Sequence, residues 1–215
     1  MSDIFNEIDE DIRRERYQKL WKTYGKFLIL AVILFFVLAA IYITWTNYLD
    51  NLKQKEGEIF SNSLELIENE SWEAASLKLS NLYNSSSSGY RSLAKLQHAS
   101  VLVKNNKIDE AIIIYRDLIN DEKSNIIYRD LARYFVIIHT FDIAEDSEII
   151  ENLAYLLEEG NPWYYPAREL EGFRLLKLGN YKESKRIFLS LSEDIEVPSG
   201  IRMRSAEMLT YLNNP

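Results

Sequence analysis

The chain has 215 residues, and its 33 acidic and 25 basic side chains give a net charge of −8. It contains no cysteine, which excludes disulfides, thiolate metal sites and a cysteine nucleophile. It has only seven glycines and four prolines, so tight turns are few, which favours helices over a many-stranded β fold.

The sequence predicts that the first 26 residues form a cytosolic leader. Ile4, Ile8 and Ile12 recur every fourth residue, a spacing that predicts a short amphipathic helix continuing into the next segment. Two interpretations of its apolar stripe stay open. The stripe lies on lipid, as in interfacial anchors, or it docks onto the cytosolic face of a membrane partner.

An uncharged apolar segment follows, "FLILAVILFFVLAAIYITWTNYL", residues 27–49. As a helix it is about 34 Å long, against about 30 Å for the hydrocarbon core of a bilayer. It therefore predicts a single transmembrane helix. The alternative is a cleaved signal peptide with "VLA" at 37–39 as the cleavage site. The apolar run is too long for one and the leader too acidic, so a retained anchor is favoured.

The flanking charges predict the orientation of this helix. Residues 13–26 carry six basic side chains and one acid, Glu15, whereas the other flank is mixed. Because positive charge stays on the cytoplasmic side, the N-terminus is expected in the cytoplasm and residues 50–215 outside it.

The net negative charge falls on residues 50–215. The leader holds six acids and six bases and residues 27–49 hold none, so 27 of the 33 acids and 19 of the 25 bases lie in this outer segment. Nucleic acid binding requires basic patches, and none is interleaved with aromatic residues here. We expect no nucleic-acid partner.

One pattern occurs in both "NKIDEAIIIYRDL" (106–118) and "GNYKESKRIFLSL" (179–191). The bulky residue that opens the pattern is Ile108 in the first stretch and Tyr181 in the second, and Trp72 opens an earlier copy. The spacings between these residues are 36 and 73 residues. A period in the mid-thirties with paired helices is typical of tetratricopeptide repeats. A divergent copy is expected near residue 145.

The repeat predicts which residues pack where two helices cross. Small residues let paired helices approach closely, and larger ones fill the space against the next pair. The small positions of the second helices are Ala75, Ala111 and Ser184. The small positions of the first helices are Ser63, Ala99 and Gly172. The large positions, four residues after the first set, are Leu79, Tyr115 and Phe188.

The predicted fold is all-α: an N-terminal transmembrane helix followed by a TPR-like right-handed α-solenoid of about four helix pairs plus a capping helix. The predicted helices are 50–68, 71–83, 90–104, 107–120, 126–141, 147–158, 163–178, 180–192 and 199–212. Loops are predicted at 84–89, 121–125, 160–162 and 197–200, where breakers cluster.

The sequence carries no catalytic motif, neither HExxH nor a phosphate loop, GxSxG or an EF-hand. The two histidines are His98 and His139, and His98 is expected in the core of its helix pair. We expect no enzyme, no cofactor, no metal and no small-molecule substrate.

A helical solenoid binds protein segments in its groove. Repeat spacing on the first helices gives the candidates for that groove: Leu96, Ser100, Val103, Arg129, Arg133, Phe173 and Lys177. Three aromatics, Trp163, Tyr164 and Tyr165, begin a later helix. They either pack between the third and fourth pairs or form an exposed anchor for a partner.

The opening "MSDIFNEIDEDIRRERYQKLWKTYGKFL", the span behind it and the outer "GEIFSNSLELIENESWEAASLKL" resemble the proteobacterial tetratricopeptide-like family of ancillary Sec-translocon subunits. That resemblance implies an inner-membrane protein with a cytoplasmic N-terminus and a periplasmic repeat domain. It implies association with the SecYEG channel and with periplasmic chaperones, and it brings no catalytic residues.

Two other functions stay open. One is a scaffold of another envelope machine, for cell division or outer-membrane assembly. The other is an enzyme or regulator with an unrecognised site, although no convergent titratable cluster favours it.

Overall fold

The computed structural model describes the backbone of residues 2–85 and 88–213 and the side chains of residues 18–84 and 89–213. The described residues form nine helices and no strand, as the scarcity of glycine and proline predicts. The helices are α1 (Ser2–Glu68), α2 (Trp72–Ser85), α3 (Ser88–Lys104), α4 (Ile108–Asn120), α5 (Ile126–Thr140), α6 (Asp146–Leu156), α7 (Tyr164–Lys177), α8 (Tyr181–Glu193) and α9 (Ser199–Asn213).

The chain divides into two compact units, residues 1–55 and 56–215. In the first unit, α1 includes the uncharged segment, whose large apolar side chains are exposed. Among the described residues, α1 is the one helix that is long and apolar enough to cross a membrane. The predicted apolar stripe at Ile4, Ile8 and Ile12 lies outside the residues whose side chains are described.

The second unit consists of helix pairs that meet at small residues. All three small positions predicted on the second helices, Ala75, Ala111 and Ser184, are fully buried. Their partners on the first helices, Ser63, Ala99 and Gly172, are buried too.

The crossing of α7 and α8 shows how close this approach is. The Ser184 hydroxyl donates a hydrogen bond of 2.9 Å to the carbonyl oxygen of Gly172. A Cβ atom on Gly172 would lie 2.9 Å from the ring of Phe188. The absence of a side chain at Gly172 therefore lets the two backbones approach, and Phe188 packs over the space that this leaves.

The large positions are buried as well. Leu79, Tyr115 and Phe188 expose at most 1% of their surface. Two of them contact the next helix: Leu79 shares a core cluster with Ala94 and Val101 on α3, and the ring of Tyr115 lies 5.3 Å from that of Phe135 on α5. Phe188 packs within its own pair, against Phe173 on α7. Burial raises the pKa of Tyr115 to about 12, so the side chain stays neutral in the core.

The turns inside three of the pairs repeat the same backbone geometry. Glu70, Asn106 and Gly179 each have a positive φ, between 57° and 76°, two residues before the start of the second helix. In each turn the next residue donates a 2.8 Å hydrogen bond back to a carbonyl of the first helix, at Leu66, Leu102 and Leu175. This left-handed residue reverses the chain and satisfies a carbonyl at the helix end.

The third pair, α5 and α6, departs from the repeat. The pattern of burial places Ile137 and Ile149 at the two crossing positions of this pair, where the other pairs hold small residues. Both isoleucines are buried. The turn of this pair has no left-handed residue, because Ala144 donates to Thr140 in helical fashion. The divergent copy expected near residue 145 therefore exists as a helix pair whose crossing is filled by two large side chains.

The predicted helix bounds agree with the structure to within two residues from the second helix onwards. The predicted loop at 84–89 is shorter in the structure, since α2 extends to Ser85 and α3 begins at Ser88. The two residues between these helices lie outside the described part of the chain.

His98 lies on α3 and its side chain faces α2, in the core position expected for it. Its Nε2 atom hydrogen bonds with the hydroxyl of Ser76, and its ring packs against Tyr83. The described residues offer no hydrogen-bond partner to Nδ1. Burial lowers the pKa of His98 below its ordinary value, and the nearby Glu110 carboxylate opposes that shift. Burial also lowers the pKa of His139, which stacks on Tyr115.

The left-handed turn gives a first prediction. In Gly179→Ala the new Cβ meets no atom within 4 Å, so the cost is that of the positive φ alone. We expect the free energy of unfolding of the full chain to fall by about 1–2 kcal/mol, measured by urea denaturation in detergent. The matched control is Gly200→Ala in the first turn of α9, which should stabilise by a few tenths of a kcal/mol up to about 1. Equal effects at the two positions would contradict this account.

The histidines give a second prediction. Their pKa values are lower in the folded chain than in the unfolded one, so the unfolded chain binds more protons at mildly acidic pH. Stability should therefore be complete above about pH 6.5 and should fall as pH decreases below it. Urea unfolding at pH 7.5 and 5.5 measures this, and replacing both histidines by Gln should remove most of the difference. An unchanged difference would assign it to other groups.

Candidate protein-binding groove

Two cavities lie at the C-terminal ends of the first helices in the last pairs. One, of about 510 Å³, lies between α5 and α7 and is lined by Ile138, Phe141, Asp142, Leu170, Phe173, Leu176 and Lys177. The other, of about 570 Å³, is lined by Leu176, Tyr181, Tyr211 and Leu212 from α7, α8 and α9. Because Leu176 lines both, we treat them as one surface, the helix-end groove.

The lining of the helix-end groove is predominantly apolar and aromatic. The rings of Tyr181 and Tyr211 are both more than 60% exposed, although each lies at the edge of a packed helix pair. Phe173 is half-buried and packs edge to face against Phe188, with ring centroids 5.1 Å apart. The core therefore supports one side of Phe173 and leaves the other side accessible to a ligand.

Polar contacts hold the two walls of the groove together. The Lys177 ammonium donates to the carbonyl oxygen of Phe141 at 2.7 Å and lies over the Phe141 ring. One turn earlier on α7, Arg174 donates from Nη1 to both carboxylate oxygens of Asp146, each at 2.9 Å. These bonds link α7 to the third helix pair.

Phe173 and Lys177 are the two groove candidates from the sequence that the structure brings together in this cavity. Ser100 and Val103 are half-buried on α3, and Val103 packs against the core cluster around Tyr115. Arg129 is half-buried and donates from Nε to the carbonyl of Ile119 at 2.8 Å. None of these three is among the residues that line the helix-end groove.

Two other candidates are buried. Leu96 is 8% exposed and belongs to the core cluster with Ala99 and Tyr115. Arg133 is 5% exposed, and its Nη1 lies 3.0 Å from Oδ1 of the buried Asp130. The repeat spacing places both on the first helices, but in the structure their side chains face the neighbouring helix. We therefore leave them out of the proposed binding surface.

The three aromatics at the start of α7 are part of the packing. Trp163 stacks on Tyr134 with ring centroids 6.0 Å apart and donates from Nε1 to the carbonyl of Ile127. Tyr165 packs against the last core cluster, and Tyr164 meets it edge to face. Of the two interpretations, this geometry favours packing between the third and fourth pairs.

Several groove residues were not predicted from the sequence, although a signal for them exists. Adjacent residues in a helix point about 100° apart, so one of two neighbouring apolar side chains can face the core while the other faces outward. In Ile137–Ile138 and Leu175–Leu176 the first residue packs inward and the second lines the groove. Such doublets at the ends of first helices mark apolar side chains that the core does not use.

The described residues contain no group of three or more His, Asp or Glu side chains that could hold a metal ion. The surface offers apolar contact, a few charges and exposed aromatic rings, which are the features of a protein-binding site.

Paired helices that cross at small residues, with the same turn between them, define a helical-repeat protein. Residues 18–137, more than half of the chain, match the model of a family described as a tetratricopeptide repeat-like domain. The chain belongs to this tetratricopeptide repeat-like family. No curated protein and no solved structure matched it.

Membership of this family has a functional meaning. Tetratricopeptide-like folds are typically protein-interaction scaffolds without enzymatic activity. The matched segment ends at residue 137, so the helix-end groove lies just beyond it, in the last helix pairs.

The buried ion pair gives a third prediction. Asp130 is also bonded to Asn161 at 2.9 Å, and Arg133 lies over the Tyr155 ring, so Arg133→Leu leaves a buried carboxylate with one partner. We expect the free energy of unfolding to fall by about 3 kcal/mol, measured by urea denaturation.

The matched control is the double variant with Asp130→Asn, which removes the uncompensated charge and should recover most of the loss. A loss of less than about 1 kcal/mol in the free energy of unfolding for Arg133→Leu alone would mean that the Arg133–Asp130 ion pair contributes little to stability.

Proposed function

We propose that this protein is a membrane-anchored interaction module ancillary to the Sec translocon, which links emerging secreted proteins with periplasmic chaperones. The helix-end groove supports the interaction role, because it is an apolar and aromatic surface on a tetratricopeptide-like domain.

The arrangement proposed for the chain has three parts. Residues 1–26 form a cytosolic leader, residues 27–49 a single transmembrane helix, and residues 50–215 a periplasmic domain whose helix pairs stack as a right-handed α-solenoid closed by α9. The uncharged, exposed segment of α1 and the basic residues before it support this arrangement.

Anchoring has a physical consequence for binding. A domain tethered by a transmembrane helix is confined to the membrane surface, which raises its effective concentration for any chain leaving a membrane channel. Modest affinity in the groove then suffices for frequent capture. The resemblance of the leader and span to the ancillary translocon subunits supports the choice of the SecYEG channel and periplasmic chaperones as partners.

Photo-crosslinking in cells tests this function directly. A photoreactive residue is placed at Tyr181 or at Tyr211, both exposed at the groove, and for comparison at Leu77, which is 64% exposed on α2. We expect adducts with translocon subunits, periplasmic chaperones or nascent secreted chains from the two groove positions, and few from Leu77. Phe173→Ala should reduce these adducts severalfold because it removes a large apolar contact surface.

Two results would overturn the proposal. Adducts dominated by cell-division or outer-membrane assembly proteins would assign the domain to another envelope machine. Protease added to the cytosolic side and cleaving residues 56–215 would contradict the orientation.

A further inference from the structure

The turns of α1 that precede the uncharged segment carry a cationic face. Lys19, Lys22 and Lys26 are spaced by three and four residues, so they lie on one side of the helix, and all three are exposed. Charge in this part of the chain is strongly unbalanced, since the six basic side chains of residues 13–26 face one acid, Glu15, which leaves a net charge of +5.

The opposite side of the same turns is aromatic and apolar. Trp21, Tyr24 and Leu28 repeat the spacing of the lysines half a turn away, because each helical residue advances by about 100°. All three are exposed, and the ring of Trp21 lies against Gly25, where an added Cβ would be 3.1 Å from it. Trp and Tyr rings at the end of an apolar helix are typical of the level of lipid headgroups.

The helical rise places the lysines at headgroup depth. Lys26 directly precedes the uncharged segment 27–49. At 1.5 Å per residue, Lys22 lies about 6 Å and Lys19 about 10 Å further along the helix from Lys26. The headgroup layer is about 5–8 Å thick on each side of the hydrocarbon core, so Lys22 and Lys26 lie within it and Lys19 lies at its outer edge.

A bilayer contacts both faces of these turns at once. It surrounds the helix, so the aromatic rings lie among the headgroups on one side while the ammonium groups reach lipid phosphates on the other. A protein docked on one face would satisfy that face alone. The positive charge then favours anionic over zwitterionic headgroups, by about fivefold for each lysine or arginine near the surface.

We infer that residues 19–28 of α1, the juxtamembrane segment, bind lipids with anionic headgroups, which its lysine face gathers around the helix. This inference rests on the transmembrane arrangement of the proposed function, and it is independent of the helix-end groove and of the translocon role. For the juxtamembrane segment it selects lipid over a protein partner.

The test uses the full chain in nanodiscs made of one quarter phosphatidylglycerol and three quarters phosphatidylcholine with the same acyl chains. A photoreactive residue replaces Thr23, which is exposed on the lysine face and donates to the carbonyl of Lys19, or Trp21 on the opposite face. Mass spectrometry of the lipid adducts after irradiation gives the ratio of the two lipids beside each position.

We expect phosphatidylglycerol adducts at position 23 to be enriched about fivefold over the share of this lipid in the nanodisc, and those at position 21 less than half as much. Lys22→Gln combined with Lys26→Gln should reduce the enrichment at position 23 to below about twofold. Arginine at both positions should preserve it, and high salt should lower it because salt screens exposed charges.

The matched control is Lys53→Gln combined with Lys55→Gln. Both lysines are exposed on the same helix, beyond the other end of the uncharged segment, and their loss changes the net charge equally. The enrichment at position 23 should stay unchanged in this control.

Three outcomes would overturn the inference. They are an adduct ratio at position 23 equal to that of the nanodisc, equal enrichment at positions 21 and 23, and an equal loss of enrichment in the control pair. In cells, adducts from position 23 that are mostly protein would instead assign the juxtamembrane segment to a membrane partner.

Failure of this inference is distinguishable from failure of the proposed function. The crosslinks expected from Tyr181 and Tyr211 should be unaffected by Lys22→Gln combined with Lys26→Gln. Cleavage of residues 56–215 by cytosolic protease would contradict the orientation but leave the enrichment in place, because both leaflets of the nanodisc have the same composition.

Discussion

The close crossing of two helices at residues without bulk is the contact on which the repeat domain depends. It brings the backbones near enough for Ser184 to bond the carbonyl of Gly172 across the pair. It also creates the space that Phe188 fills. A larger side chain at either small position would separate the helices and uncover the core between pairs, since protein interiors leave little free volume.

The third helix pair lacks this close contact. Ile137 and Ile149 occupy its crossing, so hydrophobic bulk replaces close approach. The junction with the next pair relies on polar contacts as well, among them Arg174 with Asp146 and Lys177 with Phe141. The helix-end groove opens at this junction. The most divergent repeat therefore lies beside the helix-end groove. Departures from the regular packing and turn patterns of a fold are expected at functional sites.

The walls of the helix-end groove are apolar enough to take side chains out of water. Two side chains of opposite charge, Asp142 and Lys177, line the same cavity, and Lys177 also joins α7 to the end of α5 through the carbonyl oxygen of Phe141.

The sequence by itself determined the helices from α2 onwards and the residues at three of the four crossings, because these follow from periodicity and side-chain size along the chain. It also marked residues 27–49 by length and lack of charge. Only the tertiary structure decided which side chains stay accessible. Arg133 and Phe173 fit the same spacing, but one is buried against Asp130 and the other lines a cavity. That difference depends on how neighbouring pairs meet, and contacts between residues far apart in the chain leave no local pattern.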